Sequence, residues 1–205
     1  MRTRIKFCGM TNIKDALFAA KLGVDAIGMI FVPNTPRFIT IPQAKLITDN
    51  LPPWITTVAV VVNADQKTIF KILNELPIDL IQFHGEETPD FCEQFNKPFV
   101  KTIHMQQQVD LQSAALRYHK AKTLLLDTYV KDIPGGTGET FNWSLISKIN
   151  MPIILSGGLN PTNVAESINT VKPYGIDVCS GIEKSPGKKD QEKMQQFINE
   201  VKQEC

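Results

Sequence analysis

Short runs rich in Val, Ile and Leu recur along the chain, and an amphipathic or polar segment follows each of them. Their spacing of roughly 20 to 30 residues is typical of successive βα units. Parallel strands joined by helices form a doubly wound sheet or a closed barrel, and eight units without a leftover segment favour the barrel. We therefore predict an α/β fold with a single (β/α)8 TIM-barrel domain over residues 1–205. The predicted strands are Ile5–Cys8, Ala26–Val32, Thr57–Val62, Leu80–His84, Phe99–Ile103, Leu124–Asp127, Ile153–Ser156 and Ile176–Ser180.

Two segments carry clear helix signals. Asn160 followed by Pro161 predicts an N-cap with proline in the first turn. Near the C-terminus, apolar residues recur at helical spacing, so we expect a helix that packs one face against the sheet. These residues are Met194, Phe197, Ile198 and Val201.

Charge, length and cysteine usage restrict the class of protein. The net charge is +1 without a long run of Lys or Arg, so neither nucleic acid nor a membrane surface is an expected partner. No apolar stretch reaches the roughly 18 residues that span a bilayer, and the N-terminus has no signal-peptide pattern. Cys8, Cys92, Cys179 and Cys205 show neither pairing nor metal-ligand spacing. We expect a cytoplasmic, metal-free protein that is a monomer or a homodimer.

Side-chain alternation places several polar residues on the inner face of the predicted barrel. Polar residues at strand ends have no packing reason to be there, and the carboxyl end of the strands is where barrel enzymes carry out chemistry. We therefore expect Cys8, His84, Asp127 and Asp177 to converge on the mouth. The pairs that share a face are Lys6 with Cys8, Gln82 with His84, Leu125 with Asp127, and Asp177 with Cys179.

Cys8 and Asp127 form a candidate acid/base pair, because each follows a strand-like run directly. A thiol with an ordinary pKa of about 8.5 needs nearby positive charge to act as a base, and Lys6 is the candidate helper. A carboxyl that donates a proton near neutral pH needs a pKa raised from about 4 by partial burial. Cys8 could instead be a buried structural thiol, and Asp127 an N-cap or an ion-pair partner.

Glycine pairs follow the last two predicted strands, where barrels commonly bind a phosphate group. Gly157 and Gly158 follow strand seven, and Ser180 and Gly181 follow strand eight. Glycines let backbone N–H groups approach an anion, and a short helix there would add a favourable dipole. Either pair alone could merely form a tight turn, whereas both together favour phosphate.

Three more side chains are candidates for substrate binding. Arg37 follows strand two, where it could clamp a carboxylate, although a surface arginine is the simpler alternative. His84 together with Gln82 could position a ligand, and a core histidine with satisfied hydrogen bonds is the alternative.

The chain resembles phosphoribosylanthranilate isomerase, an enzyme family of tryptophan biosynthesis, along essentially its whole length. Seven segments in the family's order on predicted strand ends make the resemblance specific. The segments are KFCGMT from Lys6, PRFIT from Pro36, QFHGEE from Gln82, LLLDT from Leu124, GGTGETFNW from Gly135, SGGLNPTNV from Ser156 and DVCSGIEKSPGKKD from Asp177.

The resemblance implies a (β/α)8 barrel and an Amadori rearrangement of N-(5-phospho-β-D-ribosyl)anthranilate to 1-(2-carboxyphenylamino)-1-deoxyribulose 5-phosphate, without a cofactor. It implies that Asp127 is the general acid that opens the ribose ring and that Cys8 is the general base at C2. Arg37 is similar to the residue that holds the anthranilate carboxylate, and Asp177 to a partner of a sugar hydroxyl. The implied phosphate cradle consists of Gly157, Gly158, Ser180 and Gly181.

The departures from the family pattern are few. Thr35 and Cys179 stand where serine is usual, and Asn142 replaces a common aspartate before Trp143. Thr35 keeps a hydroxyl and Asn142 an acceptor, but Cys179 removes a hydroxyl near the phosphate loop. The segment from Lys131 to Pro134 belongs to a mobile loop in the family.

Three other functions are alternatives. The barrel isomerase of histidine biosynthesis performs the same rearrangement on another aminoaldose, but it has an aspartate where this chain has Cys8. A Schiff-base aldolase would use Lys6 or Lys101, which lie on predicted strands. A non-catalytic sugar-phosphate binding protein would need the phosphate cradle but neither Cys8 nor Asp127.

Overall fold

The computed structural model describes residues 2–106, 109–128 and 140–203. Eight parallel strands close into one barrel in sequence order, with β1 hydrogen-bonded to β8. This confirms the predicted (β/α)8 TIM barrel; the assignment of the whole chain to one domain stays a prediction. The barrel strands are β1 Arg4–Phe7, β2 Ala26–Ile30, β3 Thr56–Val61, β4 Leu80–Phe83, β5 Phe99–Met105, β6 Thr123–Thr128, β7 Ile153–Leu155 and β8 Gly175–Val178.

Helices follow most of the strands and cover the outside of the barrel. Their starts follow from the sequence, because Asn12, Thr40, Asp65, Thr88 and Asp110 each cap a helix by accepting a hydrogen bond from a backbone N–H of the first turn. No helix among the described residues has the length and apolar character to cross a membrane. The helices are α1 Ile13–Leu22, α2 Ile41–Thr48, α3 Gln66–Glu75, α4 Pro89–Glu93, α5 Leu111–Arg117, α6 Val164–Val171 and α7 Gln191–Gln203.

The main core lies between the barrel and its helices, as side-chain alternation predicts. Phe7 on β1 points outward and meets Phe197 of α7 edge-on, with ring centroids 5.8 Å apart. Phe83 on β4 packs in the same layer against Phe99. The apolar stripe of α7 is confirmed, since all four of its predicted residues are buried. The side chains that alternate with these outward-facing residues point inward and fill the interior of the barrel.

Three local features differ from the sequence-based expectation. Helix α6 begins at Val164 rather than at Pro161, because the Asn160 side chain accepts hydrogen bonds from the backbone N–H and the hydroxyl of Thr162 in a turn before the helix. The described part of the β6–β7 connection contains only a short 3-10 helix, Trp143–Leu145. An unpredicted antiparallel pair, β9 Glu183–Ser185 and β10 Lys188–Lys189, precedes α7.

Candidate active site

A cavity of about 310 Å³ opens at the carboxyl ends of the barrel strands. The predicted site residues come together around it, with the exception of Gly181. The structure thus brings a thiol, a carboxyl and an imidazole to one mouth, as strand parity predicts, and the segment after β2 adds the guanidinium of Arg37. The predicted residues that line the cavity are Cys8, Arg37, Gln82, His84, Asp127, Gly157, Gly158, Asp177 and Ser180.

Cys8 lies directly after β1, and its backbone N–H donates a hydrogen bond to the carbonyl of Val178 on β8. Its side chain projects into the barrel, where Gly28 on β2 makes room for it. A Cβ added to Gly28 would come within 2.7 Å of the Cys8 sulfur and 3.0 Å of the Lys6 ammonium nitrogen. Position 28 must therefore be glycine, because the inward side chains of Cys8 and Lys6 occupy the space that a larger side chain would need.

Three effects govern the protonation of Cys8. A hydrogen bond with Cys179 and burial hold the pKa of the Cys8 thiol well above its ordinary value. The charge of Lys6 acts in the opposite direction and lowers the pKa of Cys8, which agrees with the helper role expected for Lys6. The net result is that Cys8 is a neutral thiol in the ligand-free site, so the charge of Lys6 alone does not make it a thiolate.

Lys6 is itself held by Asp177, with 2.9 Å between the ammonium nitrogen and Oδ1. Both side chains are buried within the barrel. Burial lowers the pKa of Lys6, but the charge of Asp177 and the hydrogen bond to it outweigh this effect and leave it raised. A lysine that remains an ammonium ion is a poor Schiff-base nucleophile, which argues against an aldolase at this position.

Cys179, the next residue after β8, is the more acidic thiol of the pair. The hydrogen bond from Cys8 and the positive charges of Lys189 and Arg37 lower the pKa of Cys179 to about 7, although burial opposes them. The Lys189 ammonium nitrogen lies 3.8 Å from the Cys179 sulfur. The negative charge shared by the two sulfurs thus resides mainly on Cys179.

Arg37 is fixed in place by Glu183. Its Nε and Nη2 lie 3.0 Å and 2.8 Å from Oε1 and Oε2 of this buried carboxylate. Lys189 donates to the same carboxylate from 3.0 Å. Burial raises the pKa of Glu183, but the two cations reverse the effect and leave it lowered. This network behind the cavity was not predicted, although Glu183 and Lys189 both lie in the segment that begins at Asp177.

Asp127 lies at the end of β6 and is paired with His84, whose Nε2 is 3.2 Å from Oδ2. Burial raises the pKa of Asp127, but the hydrogen bond and electrostatic attraction of His84, the electrostatic contribution of His104 and the Thr128 backbone N–H lower it below its ordinary value. The expected burial is present, whereas the expected rise in pKa is wrong for the ligand-free site, because the sequence did not reveal the contact with His84.

His84 is oriented from its other side by two residues. Its Nδ1 lies 2.9 Å from the Thr102 hydroxyl and 3.0 Å from the Gln82 amide nitrogen. An amide that donates to Nδ1 leaves the proton on Nε2, where it points at Asp127; this tautomer follows from the hydrogen bonds. Gln82 therefore acts on Asp127 through His84.

His104 extends this cluster and was missed, because the predicted fifth strand ended at Ile103. Ligand atoms of His84, His104 and Asp127 lie within 4.8 Å of one another, a spacing that could hold a metal ion. Both ring nitrogens of His84 are already used in hydrogen bonds, and His104 Nε2 lies 3.1 Å from the His84 carbonyl. The geometry thus favours a hydrogen-bond network, and the expectation of a metal-free site stays a prediction.

Glycine is needed after β7 and after β8 for different structural reasons, namely backbone conformation and close packing. Gly157 and Gly158 have φ angles of 85° and 63°, a region that favours glycine, and both line the cavity. Gly181 lies away from the cavity, and a Cβ there would collide with the Leu159 carbonyl oxygen. The structure therefore gives Gly181 a packing role that brings the two loops together.

Lys101 faces away from the cavity, which removes it as a Schiff-base candidate in this site. Its ammonium group is buried between the helices and the barrel, where it lies 3.4 Å from the Glu87 carboxylate and donates to the carbonyls of Phe83 and Gly85. The segment from Lys131 to Pro134, the residues from Gly135 to Glu139 in the GGTGETFNW motif, and Cys205 lie outside the described residues.

Comparison with known proteins agrees with these features. The family model described as N-(5'phosphoribosyl)anthranilate (PRA) isomerase matches residues 5–200. The N-(5'-phosphoribosyl)anthranilate isomerase of Legionella pneumophila strain Paris is 49% identical over 201 residues, which cover 98% of this chain and 97% of that protein. The family match runs from within β1 to within α7 and so includes the whole of β2 to β8.

Solved structures of the same enzyme superpose along the chain. The crystal structure of phosphoribosyl anthranilate isomerase from Thermotoga maritima has a TM-score of 0.88 at 36% identity and covers 98% of this chain and 99% of its own. A complex of the enzyme with reduced 1-(o-carboxyphenylamino)-1-deoxyribulose 5-phosphate has a TM-score of 0.84 at 33% identity, with 98% and 99% coverage. The chain therefore belongs to the N-(5'-phosphoribosyl)anthranilate isomerase family of tryptophan biosynthesis.

Proposed function

We propose that the protein converts N-(5-phospho-β-D-ribosyl)anthranilate into 1-(2-carboxyphenylamino)-1-deoxyribulose 5-phosphate by an Amadori rearrangement. One observation carries this proposal: the Cys8 thiol and the Asp127 carboxyl line the same cavity, which also contains glycine loops suited to a phosphate. An aldose-to-ketose shift needs one proton donor and one proton acceptor, and the substrate nitrogen serves as the electron sink. The reaction requires no cofactor.

The phosphate group is expected to bind between the loops after β7 and β8. Among the described residues, the backbone N–H groups of Gly157, Gly158 and Ser180 have no hydrogen-bond acceptor. Unpaired N–H groups that line a cavity are suited to an anion. Gly181 takes part indirectly, because its missing side chain lets the two loops approach each other.

Asp127 is proposed to protonate the ribose ring oxygen, which opens the ring to a Schiff base. In the ligand-free site the low pKa of Asp127 keeps it ionised next to His84. A substrate that carries a phosphate and a carboxylate adds negative charge, which raises the pKa of a neighbouring carboxyl. The His84 Nε2 proton lies on the same hydrogen bond, so we expect the pair to hold and deliver the proton as one unit.

Cys8 is proposed to remove the proton from C2 of the opened sugar, which gives an enolamine that tautomerises to the ketone. Its sulfur must carry the negative charge in that step. The hydrogen bond between the two thiols allows the Cys8 proton to pass to Cys179, while Lys6 stabilises the thiolate that remains. Lys6, held by Asp177, thus supports the base electrostatically.

Arg37 is proposed to hold the anthranilate carboxylate. Its bonds to Glu183 use Nε and Nη2, and none of its hydrogen bonds to the described residues uses Nη1. A guanidinium that is fixed on one edge presents a rigid donor to a ligand on the other. Gln82 and His84 are proposed to position the sugar, and Asp177 to accept from one of its hydroxyls.

The direct test is turnover of freshly prepared phosphoribosylanthranilate by the purified protein, followed as loss of substrate fluorescence. The aminoaldose of histidine biosynthesis is offered in parallel, and borohydride is added during turnover to trap any covalent adduct. We expect turnover of the first substrate alone and no adduct. A protein that is folded and binds the substrate without converting it would refute the proposal and favour a sugar-phosphate binding protein.

A further inference from the structure

We infer that Cys8 and Cys179 form an oxidation site, in which hydrogen peroxide converts the two thiols into an intramolecular disulfide that switches the enzyme off. Neither the barrel fold nor the isomerisation requires a second thiol at this place. The loss of activity rests on the proposed role of Cys8 as the base, whereas the formation of the disulfide does not.

The barrel register brings the two cysteines together. Phe7 pairs with Val178 across the β1–β8 junction, so Cys8 and Cys179 are the next residues on neighbouring strands. The hydrogen bond from the Cys8 N–H to the Val178 carbonyl, 2.9 Å long, continues this pairing beyond the strand ends. Neighbouring strands lie about 4.8 Å apart, which is inside the range of about 4.4 to 6.8 Å between the Cα atoms of disulfide-bonded cysteines.

Both side chains face the same cavity, and the two thiols are close enough to share a hydrogen bond. Cys8 and Cys179 line the same cavity and pack in one cluster within the barrel mouth. Cys179 is partly exposed to the cavity, whereas Cys92 lies on α4 and is buried. A small neutral oxidant can therefore reach Cys8 and Cys179 from the cavity, while Cys92 has no such access.

The surroundings assign different roles to the two thiols. Lys189 and Arg37 favour a thiolate at Cys179, whose pKa of about 7 gives a reactive sulfur at neutral pH. Cys8 remains a thiol beside it and is placed to resolve the oxidised sulfur. An accessible thiolate next to a resolving cysteine is the arrangement found in redox-sensitive sites. Cys92 has a pKa raised to about 12 by burial, so it is inert by comparison.

The chemistry balances with peroxide as the oxidant. The Cys179 thiolate attacks one peroxide oxygen, the O–O bond breaks, and hydroxide leaves and takes a proton to become water. The resulting sulfenic acid is attacked by Cys8, which gives up its proton; the S–O bond breaks and a second water leaves. Two thiols are oxidised, one peroxide is reduced, and a dithiol reductant reverses the reaction by thiol–disulfide exchange.

The test treats the purified enzyme with hydrogen peroxide and maps its peptides by mass spectrometry without reduction. We expect a peptide pair linked between Cys8 and Cys179, loss of at least 90% of the isomerase activity, and recovery with dithiothreitol. Cys179→Ser should form no linked pair, and dithiothreitol should not restore its activity after peroxide. Cys92→Ser is the matched control and should respond as the wild type does.

The results of this test distinguish the oxidation site from the role of Cys8 as the base. Oxidation of the wild type without a Cys8–Cys179 linkage, or linkage through other cysteines, overturns the inference, and this readout on the wild type does not depend on the folding of any variant. A linked pair in a fully active enzyme supports the oxidation site but removes Cys8 as the base. Failure of the oxidation site and failure of the proposed function are thus distinguishable.

Discussion

His84 Nε2 lies 3.2 Å from Asp127 Oδ2, and this contact decides the charge of the proposed acid. Burial alone raises the pKa of Asp127, and the hydrogen bond and electrostatic attraction of His84 make the largest contribution that brings it below its ordinary value. In the ligand-free enzyme Asp127 is therefore an ionised carboxylate, although its buried position alone would favour the neutral acid. The proton needed for ring opening must then either arrive with the substrate or be held by the His84–Asp127 pair.

Replacement of His84 tests this relationship. His84→Asn should raise the pKa of Asp127, since burial remains while the largest stabilising contact is lost. The carboxyl resonance of labelled aspartate, followed by NMR against pH, measures the shift. We also expect the variant to be about 1 to 3 kcal/mol less stable at pH 7, the value of a hydrogen bond to a charged group. An unchanged Asp127 titration would show that His84 does not control the carboxyl.

Lys6 is expected to tune Cys8. Lys6→Met should raise the pKa of Cys8, because the positive charge that lowers it is removed. The titration is read as thiolate absorbance with Cys92, Cys179 and Cys205 replaced by serine, so that Cys8 is the one remaining thiol. Loss of one member of a buried ion pair should also destabilise the fold by about 3 to 5 kcal/mol.

Lys101→Met is the matched control for this experiment. It breaks a comparable buried pair with Glu87, but its side chain faces away from the cavity. A similar loss of stability with an unchanged Cys8 titration is expected there. Equal shifts of the thiol titration in the Lys6 and Lys101 variants would contradict the assigned role of Lys6.

Glu183 gives the fold a defined pH dependence. Its pKa is lowered in the folded state, so its contribution to stability is present above the unfolded value of about 4.3 and is lost as the pH falls through the lower folded value. Glu183→Gln should therefore cost about 3 kcal/mol at pH 7, with the difference from wild type shrinking below pH 4. Urea unfolding at several pH values measures it, with the exposed Glu192→Gln as a control that changes little.

The absence of a side chain at Gly28 should matter for catalysis, because it leaves space for the Cys8 sulfur, rather than for backbone geometry. Gly28→Ala places a methyl group 2.7 Å from the Cys8 sulfur, so the thiol must shift. A displacement of the base on this scale should lower kcat by about tenfold to a hundredfold. Gly23→Ala is a useful comparison, because the φ of 87° makes the substitution cost stability while no atom of the described residues lies within 4 Å of the added carbon. Normal turnover by Gly28→Ala would show that the sulfur position is not critical.

The sequence was sufficient to predict the barrel and the mouth residues, because both depend on local patterns. The alternation of apolar and polar residues in each strand places Cys8 and Asp127 on the inner face, and the order of eight strands makes their ends converge. The strand bounds differ from the prediction by only one or two residues at most ends.

The contacts that set protonation could not be predicted, because they join distant parts of the chain. Glu183 and Lys189 meet Arg37 through the β9–β10 pair, in a segment whose many lysines resemble a solvated surface. Cys179 reaches Cys8 only because β8 closes the barrel onto β1. The sequence thus identified most of the side chains that line the cavity, while the direction of their pKa shifts required the folded structure.

The central claim is that Cys8 and Asp127 carry out the isomerisation, and the most direct measurement is turnover of phosphoribosylanthranilate by Cys8→Ala and Asp127→Asn beside the wild type. Each group contributes about 10²- to 10⁴-fold to the rate as a general acid or base, so we predict that each variant loses at least a hundredfold in kcat while it remains folded and still binds the product. Turnover near the wild-type rate by either variant would contradict the role assigned to that residue.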